Sequence, residues 1–160
     1  MTLDAEGKIQ NVKVSIEIYI HEKLVALEDL KVRFENTTFE IDDHDEWIDE
    51  YIFKGPSDYH RQVESGGTYG QTTEVLLNMN IYSRKKREGK TNRVYEIRDV
   101  VADYFSIGAE IDLYDFSSGD TTTSIQKMKV REIETDQRVN DEDFFQYNYS
   151  VIIDWLEKWT

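Results

Sequence analysis

His44 stands inside Asp42-Asp43-His44-Asp45-Glu46, and an imidazole among four carboxylates is the side-chain chemistry from which a metal site is built. Five consecutive residues cannot all turn toward one ion on a strand or a helix, because neighbouring side chains point in different directions. The spaced ligands and the glycine of a calcium loop are missing as well. The stretch reads as a solvated acidic turn, and no metal is expected. His21, beside Glu22 and Lys23, reads as a surface residue, and His60 completes the histidines.

The remaining reactive residue types form no constellation. Gly66-Gly67-Thr68-Tyr69-Gly70 lacks the lysine and the serine or threonine that grip phosphate and magnesium, and no helix follows it. A dinucleotide fingerprint fails for the same reason. None of the serines lies in a Gly-x-Ser-x-Gly elbow. With 33 acidic residues, any pairing of two carboxylates for acid–base work is uninformative. No catalytic residue and no cofactor are expected, and a hydrolase built on acidic residues stays as a residual alternative. Cysteine is absent, which removes disulfides and thiolate metal sites and fits a reducing compartment.

Trp47, Tyr51, Phe53, Tyr147, Tyr149 and Trp155 could stack against a ligand. At strand spacing, such rings belong to a core or a subunit interface, and core is the expectation here. Phe144 to Trp155 shows why. Phe145, Tyr147, Tyr149, Val151, Ile153 and Trp155 alternate with Gln146, Asn148, Ser150, Ile152 and Asp154. Successive strand side chains point to opposite faces, so this is one long strand with an aromatic face buried and the other wet.

The elements that carry these residues follow from periodicity. Ile9, Val12, Ile16, Ile20, Leu24 and Leu27 form one helical stripe, which outlasts the strand-like alternation ending at Ile20. Residues 32–41 are β-like, with a turn or bend at Asn36, Thr37 and Thr38. Residues 47–54 form a second strand that ends at Gly55-Pro56, and residues 74–82 form a third. Between them, residues 55–73 read as a long polar, mobile loop. Val94, Ile97, Val101 and Tyr104 or Phe105 mark a second helix over 92–105, stopped near Gly108. Strands at 111–116, 125–133 and 144–155 close the chain. Each helix has an apolar stripe to bury, and a sheet with one apolar face is its partner. The expected class is α+β: one domain, 1–160, with a mixed or antiparallel sheet of five to six strands and two helices packed on it.

The charge balance is 19 basic against 33 acidic residues, a net −14, which argues against general nucleic-acid binding. Residues 1–10 carry no signal peptide, and no stretch nears the roughly 20 apolar residues of a membrane span, so a soluble protein is expected. Charge is also segregated. Residues 35–50 hold eight acidic side chains, including Asp42, Asp43, Asp45 and Glu46, and no basic one. Residues 84–93 hold six basic ones: Arg84, Lys85, Lys86, Arg87, Lys90 and Arg93. Solvated loops are the plain reading of both. The sharper expectation is that the two patches meet when copies of the chain assemble.

The sequence of elements resembles a known family. A short N-terminal helix precedes Val32-Arg33-Phe34-Glu35-Asn36-Thr37-Thr38-Phe39, followed by Trp47-Ile48-Asp49-Glu50-Tyr51 and a glycine-bearing polar loop before a strand. Ile97-Arg98-Asp99-Val100-Val101-Ala102-Asp103-Tyr104-Phe105 then leads to the final strands, the last with Phe145-Gln146-Tyr147 and Trp155. Over about Ile9 to Trp155 this resembles the tail-terminator proteins of long-tailed bacteriophages. Arg84 to Arg87 stands where that family often has a shorter, glycine-containing connection.

The resemblance implies a structural, non-enzymatic protein of the virion, at the head-proximal end of the tail and assembled in the host cytoplasm. Six copies would form a ring that caps the tail tube protein and offers a docking surface to the head connector, or stopper, protein. DNA would pass through the lumen without specific binding, and no membrane would be involved. Arg84, Lys85, Lys86, Arg87, Asp42, Asp43, Asp45 and Glu46 are then the expected contacts between subunits or partners. The rival reading is an acidic DNA mimic or another protein-binding module.

Overall fold

The computed structural model describes residues 2–35, 37–65, 68–85 and 92–160, with the side chains of 56–65, 68 and 69 outside that description. The first helix, α1 (Ile9–Ile20), continues through a wider π-type stretch, His21–Leu27. Val12, Ile16, Ile20 and Leu24 are fully buried along it, while Ile9 and Leu27, at the ends of the expected stripe, are exposed. The π-type stretch holds one extra residue per turn, and Leu24 still points inward. Strand β1 (Val32–Arg33) is only two residues long. The expected strand over 32–41 therefore stops early: beyond Arg33 the chain leaves the sheet, and Ile41–Asp43 forms a single tight turn.

Strands β2 (Glu46–Ser65) and β3 (Thr68–Arg84) form a long antiparallel hairpin. Helix α2 (Arg93–Tyr104) leads to β4 (Glu110–Leu113), β5 (Gln126–Val139) and β6 (Phe144–Trp159). The six-stranded sheet has the order β1-β2-β3-β6-β5-β4, with β1 parallel to β2 and every other pair antiparallel. This is an α+β fold with a mixed sheet, as its periodicities require. Gly108 sits at φ 89° between α2 and β4, where its amide donates to the Val130 carbonyl at 2.8 Å. A side chain would strain that backbone.

Of the expected loop over 55–73, residues 55–65 and 68–73 are strand, while 66 and 67 lie outside the described residues. Gly55 and Pro56 lie inside β2, at a register shift between Lys54 and Ser57. A proline is tolerated there because β2 has passed the end of β1 and residues 55–56 fall in the shift, where no residue pair is formed. The template comes from elsewhere in the chain: β6 pairs with β3 from Arg84↔Phe144 out to Tyr69↔Trp159. At Gly70 an added Cβ would lie 3.1 Å from Leu156, so the missing side chain lets the strands close. Local polarity pointed to a loop, and long-range pairing decided otherwise.

Both helices pack on one face of the sheet, α1 against β4 and α2 against β3 and β6. Val75, Leu77, Met79 and Ile81 of β3 meet Ile153, Val151, Tyr149 and Tyr147 of β6 in register beneath them. Burying a side chain of this size contributes about 1.5–3 kcal/mol each. The Tyr149 hydroxyl donates to the Phe105 carbonyl at 2.9 Å, and Trp155 Nε1 donates to the Glu6 carbonyl at 3.0 Å. Two side chains extend the sheet where strands end. Gln126 bonds both the amide and the carbonyl of Leu156, at 2.7 and 2.9 Å. Glu35, two residues past the end of β1, accepts from the Ile52 amide at 2.7 Å.

Candidate functional site

The acidic turn and the start of the basic run meet inside one chain. The β2–β3 register places Glu46 opposite Ser83, so Arg84 falls beside residues 41–45. Arg84 donates to the carbonyls of Ile41 (2.7 Å) and His44 (2.8 Å) and approaches the Asp42 carboxylate at 3.8 Å. Its guanidinium also lies 5.6 Å from the Trp47 ring and 5.4 Å from the Phe144 ring. Arg93 grips Glu46 through two nitrogens, at 2.7 and 2.8 Å. Lys85 donates to the Asp141 carbonyl. The complementarity expected between copies is thus met within the subunit for Arg84 and Arg93, because the hairpin register brings the two segments together. Lys86 and Arg87 lie outside the described residues. Asp42, Asp43 and Asp45 are exposed, and His44 stacks on Phe39 with ring centres 4.5 Å apart.

The opposite face of the sheet carries neither helix, and its centre is polar. Asn148 donates to both Asn78 and Asn80 at 2.7 Å, and the Ser150 hydroxyl shares its one proton between the Oδ1 atoms of Asn78 (3.1 Å) and Asn148 (2.9 Å). Ser150 is buried in this amide network, so the face expected to be wet holds a closed polar cluster at that point. Trp47, Tyr82 and Phe144 pack together at one side of it, and Tyr51 and Phe53 stack with centroids 6.4 Å apart at the other. Of the six aromatics expected in the core, Trp47, Tyr147, Tyr149 and Trp155 are buried, whereas Tyr51 and Phe53 are 38% and 52% exposed. Trp47, Tyr51 and Phe53 all lie at odd positions of β2, on the helix-free face; Trp47 is covered there by Tyr82 and Phe144, whereas Tyr51 and Phe53 stack on each other. Arg131, bonded to Glu74, Asp154 and Glu132, closes the far side of this face with an ion cluster.

On the helix side, α2 is clamped by charge. Arg98 pairs with Asp136, which also accepts from the Tyr147 hydroxyl at 2.5 Å. The Arg98 guanidinium holds the Asp136 carboxyl below its ordinary range, and burial beside that carboxylate pushes Tyr147 up to about 12.

Beneath α1 lies a group that sequence reasoning passed over. Lys13 bonds Glu35 at 2.8 Å and lies 3.8 Å from Glu17, while Glu50 of β2 is buried next to them at 1% exposure. Burial raises the Glu50 carboxyl to about 7, with Glu17 adding to the rise. The signal was legible: Glu50 occupies the phase of Ile48 and Ile52, the inward face of a strand. An open cleft of about 570 Å³ beside it is lined by Arg33, Phe34, Glu35, Thr37, Glu50, Tyr51, Ile52 and Phe53. Among the described residues, no three histidine, aspartate or glutamate side chains converge to hold a metal ion.

These features define an α+β protein whose single mixed sheet has one helix-covered face and one open face with aromatic flanks. No family model and no curated protein matches the chain. A solved structure shares the fold, with a TM-score of 0.64 over 92% of this chain and 94% of the other, at 11% identity. At that identity the likeness is one of fold alone. No helix among the described residues is long and apolar enough to cross a membrane.

Proposed function

We propose that this chain is a structural subunit of a long-tailed phage particle, a tail terminator that closes into a ring on the end of the tail tube. The observation that carries the reading is the outer edge of β2. Past Ile52, β2 continues to Ser65 with no strand on its outer side among the described residues. Tyr51 and Phe53 lie exposed where that edge begins. An unpaired edge with apolar rings beside it is a surface on which another subunit can dock. The element order of helix, three strands, helix and three strands, which carried the family resemblance, supports the same reading.

In this reading the protein acts by assembly, without catalysis. A closed ring needs two unlike patches on each subunit, with a rotation between them that returns to the start. One patch is the β2 edge with Tyr51 and Phe53. The exposed Asp42 and Asp43, with Lys86 and Arg87, form the charged contacts between copies, giving register and on-rate more than affinity. The ring, of six copies in the virion, joins the tail tube protein to the head connector and lets DNA pass.

Sedimentation and electron microscopy of the purified protein, alone and with tail tubes, test the proposal. Rings, free or on tube ends, are expected. Replacing Tyr51 and Phe53 with serine leaves a cooperative melt and removes the rings. A protein that stays monomeric at all concentrations and ignores tail tubes overturns the proposal, as does turnover of a small substrate lost on one point mutation.

A further inference from the structure

Glu50 is 1% exposed, and its Oε1 has no hydrogen-bond partner among the described residues. Its other oxygen accepts from the Glu35 amide at 3.4 Å, a long contact. Three carboxylates lie within electrostatic reach of one another here: Glu17 from α1, Glu35 from the segment after β1, and Glu50 from β2. One cation, Lys13 of α1, acts on all three. Lys13 is held by Glu35, whose remaining oxygen already accepts from the Ile52 amide. Across the sheet, Met79 of β3 stands opposite Glu50 and brings no charge. Asp49 lies on the other face, where Arg33 engages it at 2.7 and 2.5 Å, so that guanidinium is unavailable to Glu50. His21, one turn beyond Glu17, lines a neighbouring cleft with Glu17 and Phe34.

We propose that the seating of α1 and of residues 34 and 35 on β2 is a proton-controlled latch, closed only while Glu50 carries a proton. Protonated, Glu50 is neutral, and the cluster holds two carboxylates against one ammonium. Ionised, it places a third negative charge under the helix with no hydrogen bond to its Oε1. The strain falls on the contacts that meet there: Lys13 with Glu35, and Glu35 with the amide of Ile52. The latch borders the proposed ring contact at Tyr51 and Phe53, but it is read in the stability of the single chain and does not depend on ring formation.

The direction follows from linkage. The folded state holds the Glu50 proton up to about 7, whereas the unfolded chain releases it in the ordinary carboxylate range. Its contribution to stability is therefore fully present below that range and is lost as pH rises through about 7. Across this window one such proton lowers the folding constant by up to about tenfold per pH unit.

Urea melts from pH 5 to 8.5, with amide hydrogen exchange corrected for its intrinsic pH dependence, compare the full chain with Glu50→Gln. The amide keeps the shape of the protonated acid and cannot ionise. Wild type is expected to lose stability across the window, with protection lost first in α1 and at the Ile52 amide. Glu50→Gln is expected to hold both nearly constant and to exceed wild type at pH 8.5. An equal pH slope in Glu50→Gln overturns the latch, as does a loss of protection shared evenly by α2 and β6. Should Glu50→Gln fail to fold, Glu17→Gln serves instead. Removing that like charge is expected to shrink the loss, and an unchanged loss overturns the latch.

Discussion

Arg93 and Glu46, the first residues of α2 and β2, are joined by two hydrogen bonds at 2.7 and 2.8 Å. The pair ties the second helix to the strand that begins the hairpin, across 47 positions of chain. Arg93 also bonds Glu96 at 3.1 Å within the first turn of its own helix. Arg93→Ala is expected to destabilise the fold by about 1–2 kcal/mol, between the range for exposed pairs and that for charged hydrogen bonds. Arg93→Lys recovers only part of the loss, because an ammonium cannot match both carboxylate oxygens at once. Urea melts at low and high salt check both values.

Arg84 is expected to behave as a structural residue. Arg84→Glu removes the donor to the Ile41 and His44 carbonyls and adds a like charge beside Asp42. The monomer itself should lose stability, by about 1–3 kcal/mol from the stranded acceptors. Reversal of Lys86 and Arg87 in the intact Arg84 background is the cleaner test of charge between copies. Equal melts for Arg84→Glu and wild type would show that the contacts inside the turn contribute nothing.

On β6, Tyr149→Phe keeps the ring and deletes the hydroxyl that donates to Phe105, at an expected cost of about 1 kcal/mol. Trp155→Ala, which empties a nearly closed site, is expected to cost about 3–5 kcal/mol. Ser150→Ala is not a silent control, since it breaks bonds to Asn78 and Asn148 inside the amide network. Its expected cost is about 1 kcal/mol, between a surface change and a core deletion. Denaturant melts in which Trp155→Ala is not the costliest of the three contradict the burial pattern.

Acid should act through Asp136. Arg98 and the Tyr147 hydroxyl favour its ionised form, and its folded titration lies below the ordinary carboxylate value. Its contribution is present above the unfolded value and disappears as pH falls through the folded one. Asp136→Asn is therefore expected to weaken the fold at neutral pH and to flatten the loss of stability below about pH 4. Thermal melts between pH 2.5 and 7 read both effects. A variant that retains the full acid slope removes Asp136 from the account.

Local pattern was enough for much of this molecule. The helical stripe Val12, Ile16, Ile20 and Leu24 and the alternation from Tyr147 to Trp155 each bury the side predicted from their period. A repeat of apolar side chains can be satisfied in only one way once a core exists, so helix and strand types were legible from residue order. The α+β class followed, because two amphipathic helices and a one-sided sheet have few ways to cover each other.

Tertiary pairing decided what local pattern could not. Residues 55–65 and 68–73 are polar and rich in turn formers, yet they are strand, because β6 runs on to Trp159 and supplies β3 with a partner throughout. The pairing of Glu46 with Ser83 set Arg84 against the acidic turn of its own chain, where charge counts alone suggested a contact between copies. Tyr51 and Phe53 escaped the core because both helices lie on the other face of the sheet. Glu50 reached the buried one by its phase alone. Composition and period report what each residue prefers, while register and the choice of covered face arise from contacts distant in sequence.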